Sequence, residues 1–206
     1  MLSRSQKYNQ TFLSKGELRD KLMPIIGPTE LNRILCAYEM AQNVHQFQTR
    51  NDGTPYFWHP SRVTKIILEE LGITEPDVLI AALLHDTLED SDILNQEVLE
   101  YNFGEYVSYL VETLTKEVRV EDGPLREKID REYVERLKTS CEDCRLIKLT
   151  DRLDNIRCLE FNLKRNPYKY VKETSEHYMP MAEGSSNLNI MYILKELKAE
   201  RNKFFG

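Results

Sequence analysis

The chain has 206 residues, a length at which one domain with a single hydrophobic core is the expected organisation. Its composition, 41% hydrophobic and 30% charged, is typical of a folded globular protein and argues against a disordered chain. The formal net charge of −6 argues against a general binder of nucleic acid or anionic membranes, because either ligand requires a basic surface.

The sequence shows neither a membrane span nor an export signal. Every apolar run is shorter than the ~20 residues that a membrane-spanning helix needs. The opening residues MLSRSQKYNQTFL lack the apolar centre of a secretory signal. We therefore expect the protein in the cytoplasm, where its four cysteines stay reduced. CEDC (141–144) resembles half of a zinc site, but no second such pair exists, so we interpret its cysteines as ordinary residues near a helix start.

Apolar residues recur with a helical period along almost the whole chain, and the alternating pattern of strands is scarce. The pattern predicts a helix at 29–47 with Thr29 as its cap, and a strongly apolar helix at 74–90 capped by Thr74. The other predicted helices are 61–71 (ended by Gly72), 93–102, 104–116, 124–138, 144–161, 168–182 and 187–203.

Two segments carry turn-forming residues instead. These are 48–60, which contains Asn51, Asp52, Gly53 and Pro55, and 117–124, which ends in Gly-Pro. Such loops commonly carry or cover binding sites. The predicted fold is an all-α helical bundle in one domain.

A charged cluster follows the apolar run VLIAALL. The residues LLHDTLED place His85, Asp86, Glu89 and Asp90 at the end of a helix expected to be buried, where an unpaired charge is costly or changes its protonation. In one continuous helix His85 aligns with Glu89, and Asp86 with Asp90. A divalent metal bound by His85 and Asp86 would cancel charge, but it needs further ligands from elsewhere.

Few residues can supply those ligands, because the chain has four histidines. His59 ends the turn-rich loop, and Asp151 lies on a predicted helix with Asn155 one turn further on. Both are therefore candidates for the further ligands.

The order H(59)…HD(85, 86)…D(151) resembles the signature of the HD phosphohydrolase superfamily. Within it, the chain is more similar still to the hydrolase domain of RelA/SpoT alarmone enzymes. The matching segments are AYEMAQNVHQFQTRNDGTPYFWHPSRVTKIILEELG, LIAALLHDTLEDSD, FGEYVSYLVETLTK and LIKLTDRLDNIRCL. Together with a weaker match at ETSEHYMPMA, they span about residues 37–182 and leave no room for synthetase and regulatory domains. We therefore expect a stand-alone small alarmone hydrolase, with one HD-type domain over 1–206.

The resemblance implies a mononuclear metal site and an acidic catalytic pair. The metal in this family is usually manganese. Glu89 and Asp90 are expected to orient the attacking water and to move protons, with Glu89 the stronger candidate. The implied metal ligands are His59, His85, Asp86 and Asp151. Two neutral imidazoles and two carboxylates balance one divalent ion, which supports this ligand set. Four protein ligands also leave octahedral positions for water and substrate, as a hydrolytic site requires.

The resemblance also implies the substrate, guanosine tetraphosphate or pentaphosphate, (p)ppGpp. Its 3′-pyrophosphate is removed to give GDP or GTP. Arg50 matches the first residue of the family's Arg-Lys pair beside the base, whereas Asn51 replaces the lysine. Asn155 matches the asparagine of the family's DRLHN, and Asp154 replaces the histidine. Lys148 is either a phosphate contact or an ion-pair partner.

Two other functions stay open. The departures at Asn51 and Asp154 allow an HD phosphohydrolase that acts on other nucleotides, such as adenosine alarmones or nucleoside monophosphates. A non-catalytic alarmone-binding module would have lost a ligand or the Glu-Asp pair, and none is missing here. The expected partner is a small nucleotide, with no nucleic acid and no membrane, and the sequence predicts no particular oligomeric state.

Overall fold

In the computed structural model, residues 8–91, 94–116, 123–161 and 166–205 are described, and most of them are helical. The one β pairing in these ranges is an isolated bridge between Thr49 and Pro55. The predicted all-α class is therefore confirmed. The α-helices are α1 (Lys15–Leu22), α2 (Pro28–Val44), α3 (Trp58–Lys65), α4 (Pro76–Leu84), α5 (Thr87–Asp90), α6 (Gln96–Phe103), α7 (Glu105–Leu114), α8 (Pro124–Thr139), α9 (Glu142–Arg157), α10 (Pro167–Glu173) and α11 (Leu188–Phe205).

Three of these helices continue in other helical forms. A π-helical turn at Ile66–Glu70 extends α3, and this extended helix ends just before Gly72, as predicted. A 3₁₀ turn at Leu159–Phe161 follows α9, and a π-helical turn at Thr174–Tyr178 extends α10 and leads into a 3₁₀ turn at Met179–Met181.

Both predicted threonine caps are wrong, because prolines set these helix starts. Helix α2 begins at Pro28 and α4 at Pro76, and no side chain caps either one. Proline suits the first helical position, since its φ is already helical and its missing N–H would have no partner there. Thr29 is therefore inside α2, and Thr74 lies two residues before α4.

The first predicted loop, 48–60, is shorter than expected. Helix α3 begins at Trp58, inside the predicted 48–60 loop, because Pro60 is tolerated in a first helical turn. Of the predicted 117–124 loop, residues 117–122 lie outside the described residues, and α8 begins at Pro124. None of the described helices is both long and apolar enough to cross a membrane.

Helix α4 lies at the centre of the hydrophobic core. All seven of its residues from Val78 to Leu84 are buried, and it packs against α2, α3, α7 and α9. A helix that is apolar on all sides is stable only in such surroundings. Its last turn therefore ends deep in the protein, between α3 and α9.

The predicted 74–90 helix is broken at His85 and Asp86. Helix α4 ends at Leu84, these two residues form a turn, and α5 begins at Thr87. His85 Nδ1 lies 2.8 Å from the carbonyl oxygen of Ala82, and the Thr87 hydroxyl donates to that of Leu84 at 2.7 Å. These side chains contact carbonyl oxygens that a continuous helix would use for its own N–H groups, and the backbone of Asp86 departs from helical angles (φ −102°, ψ −3°).

Candidate metal centre

Four side chains from three segments converge at the end of α4. His59 is in the first turn of α3, His85 and Asp86 form the turn after α4, and Asp151 is in the middle of α9. One ligand atom from each of His59, His85 and Asp151 lies within 4.8 Å of the others. Helix packing thus brings residues that are up to 92 positions apart to one point.

The aspartate carboxylates lie between the two imidazole rings. His59 Nε2 is 3.1 Å from Asp151 Oδ1 and 3.7 Å from Asp86 Oδ2. His85 Nε2 is 3.2 Å from Asp86 Oδ1, outside hydrogen-bond geometry. The Tyr56 hydroxyl donates to Asp86 Oδ2 at 2.8 Å and so fixes the carboxylate from its other side. Nε2 atoms and carboxylate oxygens are the donors expected for a divalent ion.

His85 gives the clearest indication that this donor set suits a metal. A carbonyl oxygen can only accept, so the Nδ1 that contacts Ala82 carries a hydrogen, and once the ring is neutral its Nε2 has the lone pair that a metal needs. That Nε2 is buried and has no hydrogen-bond partner among the described residues. A buried polar atom without a partner is costly, and a metal ion would satisfy it. The residues present fit a divalent metal.

Asp154 holds the other ring nitrogen of His59. His59 Nδ1 donates to Asp154 Oδ2 at 2.7 Å. Arg62 donates to both oxygens of this carboxylate, at 2.8 and 3.2 Å, and the Tyr8 hydroxyl donates at 2.7 Å. A carboxylate that accepts from a metal-binding imidazole fixes its tautomer and turns the lone pair of Nε2 toward the metal.

From sequence, Asp154 was identified only as a substitution in the family motif, and Arg62, Tyr8 and Tyr56 were not predicted to belong to the site. One signal was present, since residues three apart share a helix face and Asp154 follows Asp151 at that spacing. Burial alone would raise the pKa of Asp154, but Arg62 and the hydrogen bond from His59 hold it well below its ordinary range. Asp154 is therefore a carboxylate at neutral pH.

A chain of polar contacts leads outward from Asp151. Lys148 Nζ lies 2.8 Å from Asp151 Oδ2, and Asn155 donates to Asp151 Oδ1 at 2.5 Å. Arg50 in turn donates to the Asn155 side-chain oxygen at 2.5 Å. Burial alone would lower the pKa of Lys148, but Asp151 and nearby hydroxyls raise it well above its ordinary range. Lys148 is therefore a fixed positive charge beside the metal ligands.

These residues line one cleft of about 270 Å³. All four predicted substrate-binding residues border it together with three of the four predicted metal ligands, so the structure places them on the same cavity. His85 lies deeper. The lining residues are Thr49, Arg50, Asn51, Tyr56, His59, Asp86, Lys148, Asp151, Arg152, Asn155 and Tyr170.

Glu89 and Asp90 are not among the described residues that line this cleft. The break after α4 turns them toward other neighbours. Glu89 accepts from the backbone N–H of Lys116 at 2.5 Å, and Asp90 lies 3.5 Å from His45 Nδ1. Burial, reinforced by the charge of Asp86, raises the pKa of Glu89 to about 7 and that of Asp90 to about 6.

Arg152 and His45 also belong to the matching motifs, and each contacts neighbouring side chains. The Arg152 guanidinium lies between the rings of Tyr170 and Tyr178, at 3.9 and 4.1 Å from their centroids, and it donates to Thr174. His45 Nδ1 lies 2.8 Å from the Gln48 side-chain oxygen. Arg152 thus clamps α10 and its π-helical extension against α9 at one wall of the cleft.

Comparison with known proteins gives consistent matches. A family model described as an HD domain matches residues 37–185. The guanosine-3′,5′-bis(diphosphate) 3′-pyrophosphohydrolase MESH1 of Mus musculus is 42% identical over 181 residues, covering 84% of this chain and 97% of the mouse protein. A solved structure described as a metazoan orthologue of SpoT that hydrolyses ppGpp has a TM-score of 0.70 and 31% identity, covering 82% of this chain and 95% of that one.

Long bacterial proteins match as well, through a part of their length. A guanosine-3′,5′-bis(diphosphate) 3′-pyrophosphohydrolase of Aquifex aeolicus is 39% identical over 192 residues, covering 90% of this chain. The chain spans 26% of that protein, and it spans 20% of a similar GTP pyrophosphokinase of Streptomyces coelicolor. The mouse protein is therefore the relative of comparable length among these.

Proposed function

The chain belongs to the HD-domain family, and from that premise we propose that it is a metal-dependent hydrolase of (p)ppGpp. Water would attack the phosphorus attached to the ribose 3′-oxygen. The bond from this phosphorus to O3′ breaks, and O3′ takes up a proton. The products are pyrophosphate and GDP from ppGpp, or GTP from pppGpp.

One observation carries this proposal. Two imidazole nitrogens and two carboxylates from distant segments converge at a cleft that also presents Arg50, Lys148 and Asn155. A closed structural site would have no such opening, and a nucleotide polyphosphate needs cations and hydrogen-bond donors beside the reacting phosphorus. The 42% identity to the mouse pyrophosphohydrolase supports the same substrate class.

We assign the metal ligands and propose manganese as the ion. A divalent ion in this position would increase the acidity of water and polarise a phosphoryl oxygen. The protein's part is to hold the donor atoms in place. Asp154 and the Ala82 carbonyl orient the two imidazoles, and Tyr56 orients one carboxylate. The assigned ligands are His59, His85, Asp86 and Asp151.

The substrate would lie in the cleft with its pyrophosphate toward Lys148. The charge of Lys148 compensates the phosphoryl oxygens, and its contact with Asp151 fixes its position. Arg50 lies 5.9 Å from the centroid of the Tyr56 ring and donates to Asn155, so its planar group borders the side where a base would bind. Asn51 lines the same wall.

We assign proton transfer to Glu89 and a supporting role to Asp90. A pKa near 7 lets Glu89 exchange a proton at neutral pH, and the Lys116 N–H holds its carboxylate in place. Asp90 is next to His45 on the side of α5 that borders another groove. Asp90 would therefore support the site through charge.

The departure at 154 bears on the metal first. Asp154 is completely buried behind His59 and does not line the cleft, although its Oδ2 lies 4.0 Å from Nη1 of Arg50. Asn51, which lines the cleft, is then the departure that can alter base contacts directly, and adenosine alarmones remain the second candidate substrate. We further infer a cytoplasmic, single-domain enzyme whose partner is this nucleotide.

The test is an assay of purified protein with ppGpp, pppGpp and their adenosine analogues, with manganese, with magnesium and with a chelator. We expect pyrophosphate and GDP from ppGpp only when a divalent ion is present. Asp86→Asn, which keeps the shape of a ligand but removes its charge, should abolish this turnover and leave the helical circular dichroism unchanged. Turnover of another nucleotide, with none of ppGpp, would refute the proposed substrate. A metal-independent reaction would refute the site.

A further inference from the structure

Two thiols meet at the start of α9, outside the metal centre. Cys141 is the residue just before the helix, with an extended backbone (φ −63°, ψ 164°), and Cys144 is its third residue. Their sulfur atoms are 3.6 Å apart, so the thiols are in contact. CEDC was interpreted from sequence as ordinary residues near a helix start, and the contact between its sulfurs was not predicted, because sequence spacing does not show how the side chains turn.

The backbone already has a geometry that a disulfide accepts. The Cα separation of Cys141 and Cys144 is set by the two helical residues between them, so it is about 5 Å, as for residues three apart in a helix, and disulfides span Cα distances of roughly 4.4–6.8 Å. Bond formation brings the sulfurs to about 2.0 Å. The remaining approach of roughly 1.6 Å is within the range of side-chain rotation.

The two sulfurs differ in access. Cys141 is half-buried beside the partly exposed Tyr106, whose hydroxyl is 3.8 Å from its sulfur, whereas Cys144 is fully buried. Burial, and then the charge of Cys141, raises the pKa of Cys144 to about 12. A small molecule can therefore reach Cys141 first, and Cys144 can act only on a sulfur that is already beside it.

We propose that Cys141 and Cys144 are a redox-active pair that takes a small-molecule disulfide as oxidant and closes to an intramolecular disulfide. The Cys141 thiolate attacks one sulfur of the oxidant RSSR, forms a mixed disulfide and releases one thiol, RSH, after protonation. Cys144 then loses its proton and attacks the sulfur of Cys141, releasing the second RSH. Two electrons pass from the protein thiols to RSSR.

The first step prepares the second. Once Cys141 is in a mixed disulfide it carries no charge, so one of the two main causes of the high pKa of Cys144 is removed. The pair needs no metal and no nucleotide. The inference is therefore independent of the proposed hydrolysis, although α9 also carries Asp151 two turns further on.

The experiment uses bis(2-hydroxyethyl) disulfide, an uncharged probe, because Glu142 and Asp143 between the cysteines would repel an anionic one. The full chain is oxidised, alkylated under denaturing conditions and digested with trypsin. Cleavage after Lys138 and Arg145 places both cysteines in one peptide, TSCEDCR, and Cys36 in another. Cys36 is exposed and serves as the internal control for a single reactive thiol.

We expect TSCEDCR to lose two hydrogen atoms and to resist alkylation, and the Cys36 peptide to carry a probe adduct instead. Dithiothreitol should restore alkylation of both cysteines. In Cys144→Ser the adduct should be trapped on Cys141, and in Cys141→Ser the buried Cys144 should remain unmodified. Alkylation of both cysteines in oxidised wild-type protein, or a lasting adduct on Cys141 in the presence of Cys144, would overturn the proposal.

Discussion

Replacement of Asp154 by asparagine should weaken metal binding, although Asp154 is not a proposed ligand. Its two oxygens accept four hydrogen bonds, from His59 Nδ1, from Nε and a terminal nitrogen of Arg62, and from the Tyr8 hydroxyl. Asparagine offers one oxygen and one NH₂ group, so the NH₂ must face donors on one side. If it faces His59, the ring hydrogen moves from Nδ1 to Nε2, the atom that lies 3.1 Å from Asp151 and would bind the ion.

Two magnitudes follow. Loss of a partner that orients a metal-binding histidine typically lowers metal affinity by about 10–100-fold. In either orientation of the amide, Arg62, which donates to both oxygens of the wild-type carboxylate, loses its buried counter-ion, and this loss costs roughly 3–5 kcal/mol of folding free energy. We expect both effects in Asp154→Asn.

The stability deficit should depend on pH in a defined direction. The folded-state pKa of Asp154 is held below its ordinary value, so the carboxylate stabilises the wild-type fold above pH ~4, and that contribution is lost as the pH falls further. The deficit of Asp154→Asn should therefore be largest near neutral pH and shrink in acid.

The assay is a manganese titration of metal-free protein in competition with a chromogenic chelator, with thermal unfolding followed separately on the metal-free form. Asp143→Asn is the matched control, because it makes the same change on α9 at a residue that is hydrogen-bonded to Tyr106, away from the metal ligands. A folded Asp154→Asn protein with wild-type manganese affinity would refute the positioning role.

Three further predictions concern the same site. Manganese affinity should fall by about tenfold per pH unit below pH 9. Burial alone would lower the pKa of His85, but Asp86 raises it to about 9, so the ion must displace a proton. Calorimetric titrations with a flat pH profile would contradict this. In metal-free protein, burial raises the pKa of Glu89 from 4.5 to about 7. The free energy of unfolding of the wild type should therefore decline by on the order of 3 kcal/mol as the pH rises through that range. Urea unfolding of Glu89→Gln should lack the decline. Lys148→Gln should raise KM for ppGpp by about tenfold or more, because a charge-assisted hydrogen bond contributes roughly 1.5–3 kcal/mol. Steady-state kinetics with unchanged KM would exclude Lys148 as a phosphate contact.

The helices were largely predictable because the burial of a helix face is visible in the local sequence pattern. Apolar residues at helical spacing mark the buried face of each helix, and the continuous apolar run of α4 marked the centre of the core. Where prediction failed, at Thr29 and Thr74, two local signals competed, and the proline at the first helical position prevailed over the threonine cap.

The candidate metal ligands could also be proposed from sequence, since their chemistry restricts the choice. Histidines are few in this chain, and His85-Asp86 after an apolar helix is hard to explain without a counter-charge. The roles of Glu89 and Asp90 were less accessible. Their alignment assumed a continuous helix, and the turn after Leu84 depends on side-chain bonds to two carbonyl oxygens.

By itself, then, the sequence determined the all-α class, most helix positions and the residues proposed for a divalent-metal site. Only the tertiary structure decided which groups hold those residues in place. Arg62 meets Asp154 across 92 positions and Tyr8 meets it across 146, and the sulfurs of CEDC turn toward each other. A local pattern records which face of a helix is buried, but the partner of a buried polar atom is set by how the helices pack.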